Sequence, residues 1–128
     1  MRRRGWNEGA AALETALVSP LFIALVLGTL YVGWALYCGA EVRHAVERST
    51  RLVIQNPDVD EATLEAAVHE QLNAADPDDV TVTLTTHTVG TNGEVARLAW
   101  TYGYTIDAPF IDPVTIDFDS SIIVPKRA

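Results

Sequence analysis

The apolar positions of this chain fall into three regimes. From residue 15 to residue 40 no side chain is charged, and the 26 positions are rich in Leu, Val, Ala and aromatic residues. A helix of that length rises about 39 Å against a hydrocarbon core of about 30 Å, so the run predicts a tilted transmembrane helix. After residue 40 the pattern becomes amphipathic. Val42, Ala45, Val46, Leu52 and Val53 are apolar, Glu41, Arg43, Glu47, Arg48 and Arg51 fill other positions, and Asn56-Pro57 stops the helix. Glu47 and Arg51 stand at the i,i+4 spacing of a helical ion pair. A second stripe, Leu64, Ala67, Val68 and Leu72, predicts a helix over residues 60–74, capped by Asp58 or Asp60 and closed by the turn Asp76-Pro77-Asp78-Asp79.

The period then drops to two. Val80, Val82 and Leu84 alternate with threonines. Ala96, Leu98, Trp100, Tyr102, Tyr104 and Ile106 share one face, with Arg97, Thr101 and Thr105 on the other; Val114, Ile116, Phe118 and Ser120 alternate with Thr115, Asp117 and Asp119. Asn92-Gly93 is a strong hairpin signal, and Pro109 to Pro113 marks a second turn. Three antiparallel strands with one apolar face need cover, which the two helices can supply. The expected fold is α+β: a long N-terminal transmembrane helix continuing into a small domain with a second helix and a three-stranded antiparallel sheet. The expected organisation is a basic leader over residues 1–9, the transmembrane helix over 10–40 and an extracytoplasmic domain over 41–128.

Charge gives this layout a direction. The net charge is −8, unevenly spread. Arg2, Arg3 and Arg4 stand against Glu8 before the apolar run, whereas 15 acidic and 6 basic residues follow Gly39. The positive-inside rule then puts the N-terminus in the cytoplasm and the C-terminus outside, as a single-pass protein. An acidic domain lacks the basic surface that phosphate binding needs, which argues against a nucleic-acid partner. The one cysteine, Cys38, permits no internal disulfide; it reads as a small apolar filler, with an intermolecular disulfide as the alternative.

The apolar run is too long for the 7–15-residue core of a cleaved secretory signal, and Tyr37 is too bulky before Cys38 for a lipoprotein signal. A plain anchor explains the length and the arginines but not the opening residues. The leader ends at Gly9, and five residues later Glu14 stands at the very start of the apolar run. An acid there is costly, and an intramembrane acid is by default a candidate functional group. Pro20, inside the span, removes a backbone hydrogen bond and predicts a kink or a loosened turn near residues 16–20. Gly28, Thr29 and Gly33 offer a weak close-packing strip, and Tyr31, Trp34 and Tyr37 suit the outer interface.

The opening Gly9-Ala10-Ala11-Ala12-Leu13-Glu14-Thr15-Ala16-Leu17-Val18-Ser19-Pro20-Leu21 resembles the prepilins of the tight-adherence (Tad/Flp) branch of type IV pili, and among them the TadE-like pseudopilins. Thr15 stands where that group usually has an aromatic residue. The stretch from Ala45 to Arg51, with Arg48 and Arg51 on a helix, is similar as well. The resemblance implies cleavage by a prepilin peptidase between Gly9 and Ala10, and an assembly and register role for Glu14. It implies a bacterial cytoplasmic (inner) membrane protein that either enters the pilus, primes it or stays with the assembly platform. The implied partners are the prepilin peptidase, other pilins and pseudopilins, and the inner-membrane assembly platform.

Other chemistry finds little support. His44, His69 and His87 are dispersed, so no metal site is expected; Asp76, Asp78 and Asp79 lack the glycine and terminal glutamate of a calcium loop. No phosphate loop, dinucleotide motif or nucleophile elbow occurs, so neither cofactor nor catalytic residue is expected. The expected function is a minor pilin-like subunit for assembly of a tight-adherence pilus or related secretion filament, and not an enzyme. The alternative is a bitopic envelope protein whose outer domain binds a ligand or modulates a partner enzyme.

Overall fold

The computed structural model describes residues 5–89, 93–108 and 111–126, with side chains from Gly9 onward. Arg2, Arg3 and Arg4, Asn92 and Pro109 lie outside the described residues, as does the side chain of Glu8. The elements are α1 (Gly5–Gln55), α2 (Glu61–His69), a single 3₁₀ turn (Pro77–Asp79), β1 (Val80–Val89), β2 (Gly93–Ile106) and β3 (Val114–Lys126). A long apolar helix, a second helix and a three-stranded antiparallel sheet make the α+β arrangement that the periodicities predict. The chain divides into two compact units, Met1–Trp34 and Ala35–Ala128, and α1 contributes to both.

The described part of the first unit is helix throughout, apolar on every side. Twelve of its large apolar side chains are exposed, from Leu13 and Leu17 through Phe22 and Leu25 to Trp34. Leaving each in water costs roughly 1.5–3 kcal/mol. The sum, on the order of 20–30 kcal/mol, exceeds the 5–15 kcal/mol that stabilises a typical domain. This surface therefore belongs in lipid or against other protein. The helix holds an 18-residue window of mean hydropathy 2.1 with none of it buried, and is a candidate membrane span by length and composition. Hydroxyls inside it are satisfied locally: Thr15 Oγ1 donates to Ala11 O (2.9 Å), Ser19 Oγ to Thr15 O (2.6 Å) and Thr29 Oγ1 to Leu25 O (2.8 Å).

The second unit holds the core. The sheet order is β1-β2-β3, and its register puts Val82, Trp100 and Ser120 in one row and Val80, Tyr102 and Phe118 in the next. Val80, Val82, Ala96, Leu98, Trp100, Tyr102 and Val124 are buried on the covered face. The later part of α1 brings Cys38, Val42, Ala45, Val46 and Val53 to that core at three- and four-residue steps, and α2 brings Leu64 and Val68. The opposite face, with Thr81, Thr83, Thr85, Thr101 and Thr105, is exposed.

The element ends have specific causes. Asn56 N still reaches Leu52 O (2.8 Å), but Pro57 has no N–H with which to continue α1. The α2 cap is Asp60, whose carboxylate accepts Thr63 N at 3.3 Å. α2 ends at His69, five residues short of the expected 74. Gln71 N and Leu72 N turn back to Val68 O and His69 O, and the next three amides leave the helix for Glu41, described below. The predicted hairpin forms, but Gly93 pairs with Val89 as the first residue of β2. A Cβ there would stand 2.7 Å from Val89 O, so the close approach of two backbones requires the glycine. On β1, Glu61 Oε2 accepts Leu84 N (2.8 Å) and His69 Nε2 lies 3.3 Å from Val80 O, so α2 side chains cover strand-edge groups.

Candidate functional site

Gly9, Ala10 and Glu14 fall on consecutive turns of α1, all exposed. Ala10 and Glu14 are four residues apart, hence on one helical face. No heavy atom lies within 4 Å of where a Gly9 Cβ would stand. The Gly9–Ala10 peptide is helical here, so a protease that takes an extended strand must first unwind it. Glycine makes that easier, since it is worth about 1 kcal/mol less than alanine in a helix. Glu14 lies in a shallow groove with Ala11, Thr15, Val18, Ser19, Phe22 and Ile23. Pro20 lies within α1, one residue beyond Ser19, and Ala16 O has no backbone N–H from it.

In the second unit a set of contacts fixes α1 against the sheet. Glu41 accepts three backbone amides with one carboxylate: Asn73 N at 3.0 Å on Oε1, and Ala74 N and Ala75 N at 2.9 Å each on Oε2. Ser49, fully buried, donates to Ala45 O (2.9 Å) and accepts Gln71 Nε2 (3.1 Å). The Tyr102 hydroxyl is bonded to the Cys38 thiol; burial first, and this bond second, push the phenol pKa well above its ordinary value. Cys38 is fully buried, which fits an apolar filler and leaves no access for an intermolecular disulfide in this fold. Gly39 faces the Phe118 ring so closely that a Cβ would lie 3.0–3.1 Å from three ring carbons, and Phe118 in turn stacks on Tyr102 at 6.0 Å.

Of the helical charges, Glu47 pairs with Arg43 Nε (2.8 Å) and approaches His44 (3.5 Å), rather than the Arg51 that the i,i+4 order suggested. A groove of about 450 Å³ opens between α1 and β3, lined by Gly39, Ala40, Arg43, Trp100, Asp117, Phe118, Asp119 and Ser120. Among the described residues no three His, Cys, Asp or Glu side chains gather to hold a metal ion.

Periodicity puts Glu41 off the apolar stripe and says nothing of the three amides it accepts. The available signal was its place as the first charge after 26 uncharged positions, where a lone carboxylate needs donors. Nothing local in the sequence marks Gly39, because Phe118 reaches it from 79 residues away in the chain.

One N-terminal candidate membrane span followed by an α+β domain defines the class of protein. Residues 9–51, a third of the chain, match the TadE family model, described as TadE-like protein, and over that stretch the chain is similar to this family. The match begins at the glycine proposed as the end of the leader and includes Glu14, Pro20, Arg48 and Arg51. No curated protein and no solved structure matches the chain.

Proposed function

We propose that this protein is a minor pilin-like subunit, a pseudopilin, that assembles with the Tad pilus machinery and is not an enzyme. A prepilin peptidase cuts between Gly9 and Ala10, and the mature chain sits in the bacterial inner membrane with its C-terminus outside. Other pilins and the assembly platform are its partners. The observation that carries the reading is Glu14, exposed at the start of an uncharged apolar helix and inside the TadE-like stretch. A plain anchor gives that acid no role. Pairing with an α-amino group newly freed at Ala10, on its own helix or a neighbour's, offsets the desolvation of both charges.

N-terminal sequencing of the membrane-purified protein tests the reading. Ala10 is the expected first residue. An intact Met1 terminus in cells with an active prepilin peptidase overturns it. Reporter fusions test the direction: a reporter active only outside the cytoplasm should work after Ala128 and stay silent after Glu8.

A further inference from the structure

We infer that β3 takes up an extended segment of another protein as a fourth strand, with apolar side chains toward the α1 side alternating with basic side chains on the open sheet face. β3 is an edge strand of 13 residues. Its pairing with β2 runs one to one from Val114 to Lys126, without a bulge. An edge strand turns about half of its N–H and C=O groups away from its neighbour. On the other edge of the sheet, α2 side chains meet such groups of β1: Glu61 accepts Leu84 N, and His69 approaches Val80 O. Among the described residues, no hydrogen bond reaches the outer side of β3. Pro125, which would blunt the edge, stands only at its end. Residues 114–124 remain open to a strand.

The two faces of β3 say what that strand carries. On the covered face Ile116, Phe118 and Ile122 are only half-buried, and the small Ser120 interrupts their row. Ser120 is the β3 partner of Trp100, and both line the groove of about 450 Å³ that opens beside Gly39, Ala40 and Arg43 of α1. A strand laid along β3 alternates its side chains with the same period, so one inward residue comes to the groove. A large apolar side chain there finds aromatic walls and covers the half-exposed row. On the open face Asp117 and Asp119 stand beside Gly103 and Thr101, and Asp117 Oδ1 lies 3.3 Å from where a Gly103 Cβ would be. Among the described residues neither acid has an ion pair. Lys or Arg opposite them on an added strand supplies the missing charge. The same acids disfavour β3 of a second copy as the occupant. Antiparallel pairing centred on Phe118 sets Asp117 against Asp119, and parallel pairing in register sets each acid against itself.

The inference does not depend on the pilin reading. Its test uses the full-length chain in phosphatidylcholine nanodiscs, with empty nanodiscs as the blank for binding to lipid. The probe is a fluorescent peptide, Lys-Ile-Lys-Trp-Lys-Ile-Lys, whose apolar and basic residues fall on opposite faces of a strand. It should bind the loaded discs above the blank, and less tightly as salt rises. Hydrogen exchange should slow across residues 114–126 and stay unchanged in α2. The peptide with glutamates in place of its lysines should not bind. Asp117→Asn with Asp119→Asn should weaken the lysine peptide several-fold. Ser120→Trp, which fills the groove, should weaken it as well. Circular dichroism melts check that the variants fold, and Ser120→Leu replaces Ser120→Trp if the larger residue unfolds the domain. No binding above the blank, protection that misses β3, equal binding of the glutamate peptide, or unchanged affinity in either folded variant would each overturn the assignment. So would two chains in one disc protecting each other along β3 without peptide, since the occupant would then be a second copy.

Discussion

Glu41 accepts the backbone N–H of Ala75 at 2.9 Å across 34 residues of sequence, and the same carboxylate accepts Ala74 and Asn73. The segment after α2 is thereby tied to α1 by one side chain. Replacing Glu41 with Ala leaves three amides without their acceptor, two of them partly buried, and should cost about 1–3 kcal/mol. For a domain of this size that is a fall of several degrees in melting temperature. Glu41→Gln keeps one carbonyl acceptor and should fall between. Hydrogen exchange at residues 73–75 provides the local readout: exchange there should speed up in both variants, and unchanged protection would refute the tie.

Asp60 links the α2 cap to pH. The Thr63 hydroxyl, against an opposing effect of burial and aided by the Thr63 backbone N–H, holds the Asp60 carboxyl below its ordinary range. A depressed folded-state pKa contributes stability that is complete above the unfolded value, about 3.9, and is lost as pH falls through the lower folded value. Asp60→Asn keeps a capping oxygen but does not titrate. The melting-temperature advantage of wild type over Asp60→Asn should therefore be constant near neutrality and shrink below about pH 4. An advantage that persists unchanged into acid would exclude the ionised cap.

At Gly39 two effects oppose each other. Alanine would raise helix propensity by about 1 kcal/mol. Its Cβ, however, would meet the Phe118 ring at 3.0 Å. Phe118 is only half-buried and sits on an edge strand, so it can shift by a few tenths of an ångström. Gly39→Ala should be close to neutral. Gly39→Val should destabilise by about 1–3 kcal/mol through overpacking. Adding Phe118→Ala to the valine variant should remove most of that overpacking cost. A double-mutant cycle by thermal melts with no coupling would disprove the clash.

Trp100 is 5% exposed, and among the described residues its buried indole Nε1 has no hydrogen-bond partner. Trp100→Phe removes an unsatisfied donor along with some apolar area, so its cost should stay under about 1.5 kcal/mol. Trp100→Ala, which leaves a cavity, should cost about 3–5 kcal/mol. Equal losses in the two variants would mean that the indole N–H is engaged after all.

Glu14 carries the assembly reading. Glu14→Gln keeps size and removes charge, so membrane insertion and cleavage after Gly9 should stay near normal. Co-purification with pilus-assembly partners should fall sharply and pili should be lost, because subunit register would no longer be set by pairing with the Ala10 amine. Normal pilus numbers from Glu14→Gln cells would sink the register role.

The sequence by itself determined whatever depends on composition or on a local period. The uncharged run of residues 15–40 requires a non-aqueous surrounding wherever its neighbours lie, and the alternation through Ala96, Leu98, Trp100 and Tyr102 assigns a covered face from backbone geometry alone. Gly9 and Glu14 lie in one helix, so their spacing could be read in the same way. Tertiary structure decided the contacts between elements. Whether Glu41 faces solvent or three amides depends on where residues 73–75 arrive, and the end of α2 moved from 74 to 69 for that same cause. Glu47 had Arg43 and Arg51 at equal spacing, and Cys38 gained a hydroxyl partner, Tyr102, 64 residues away. Periodicity reports which face a residue occupies; only the packed chain reports what stands opposite it.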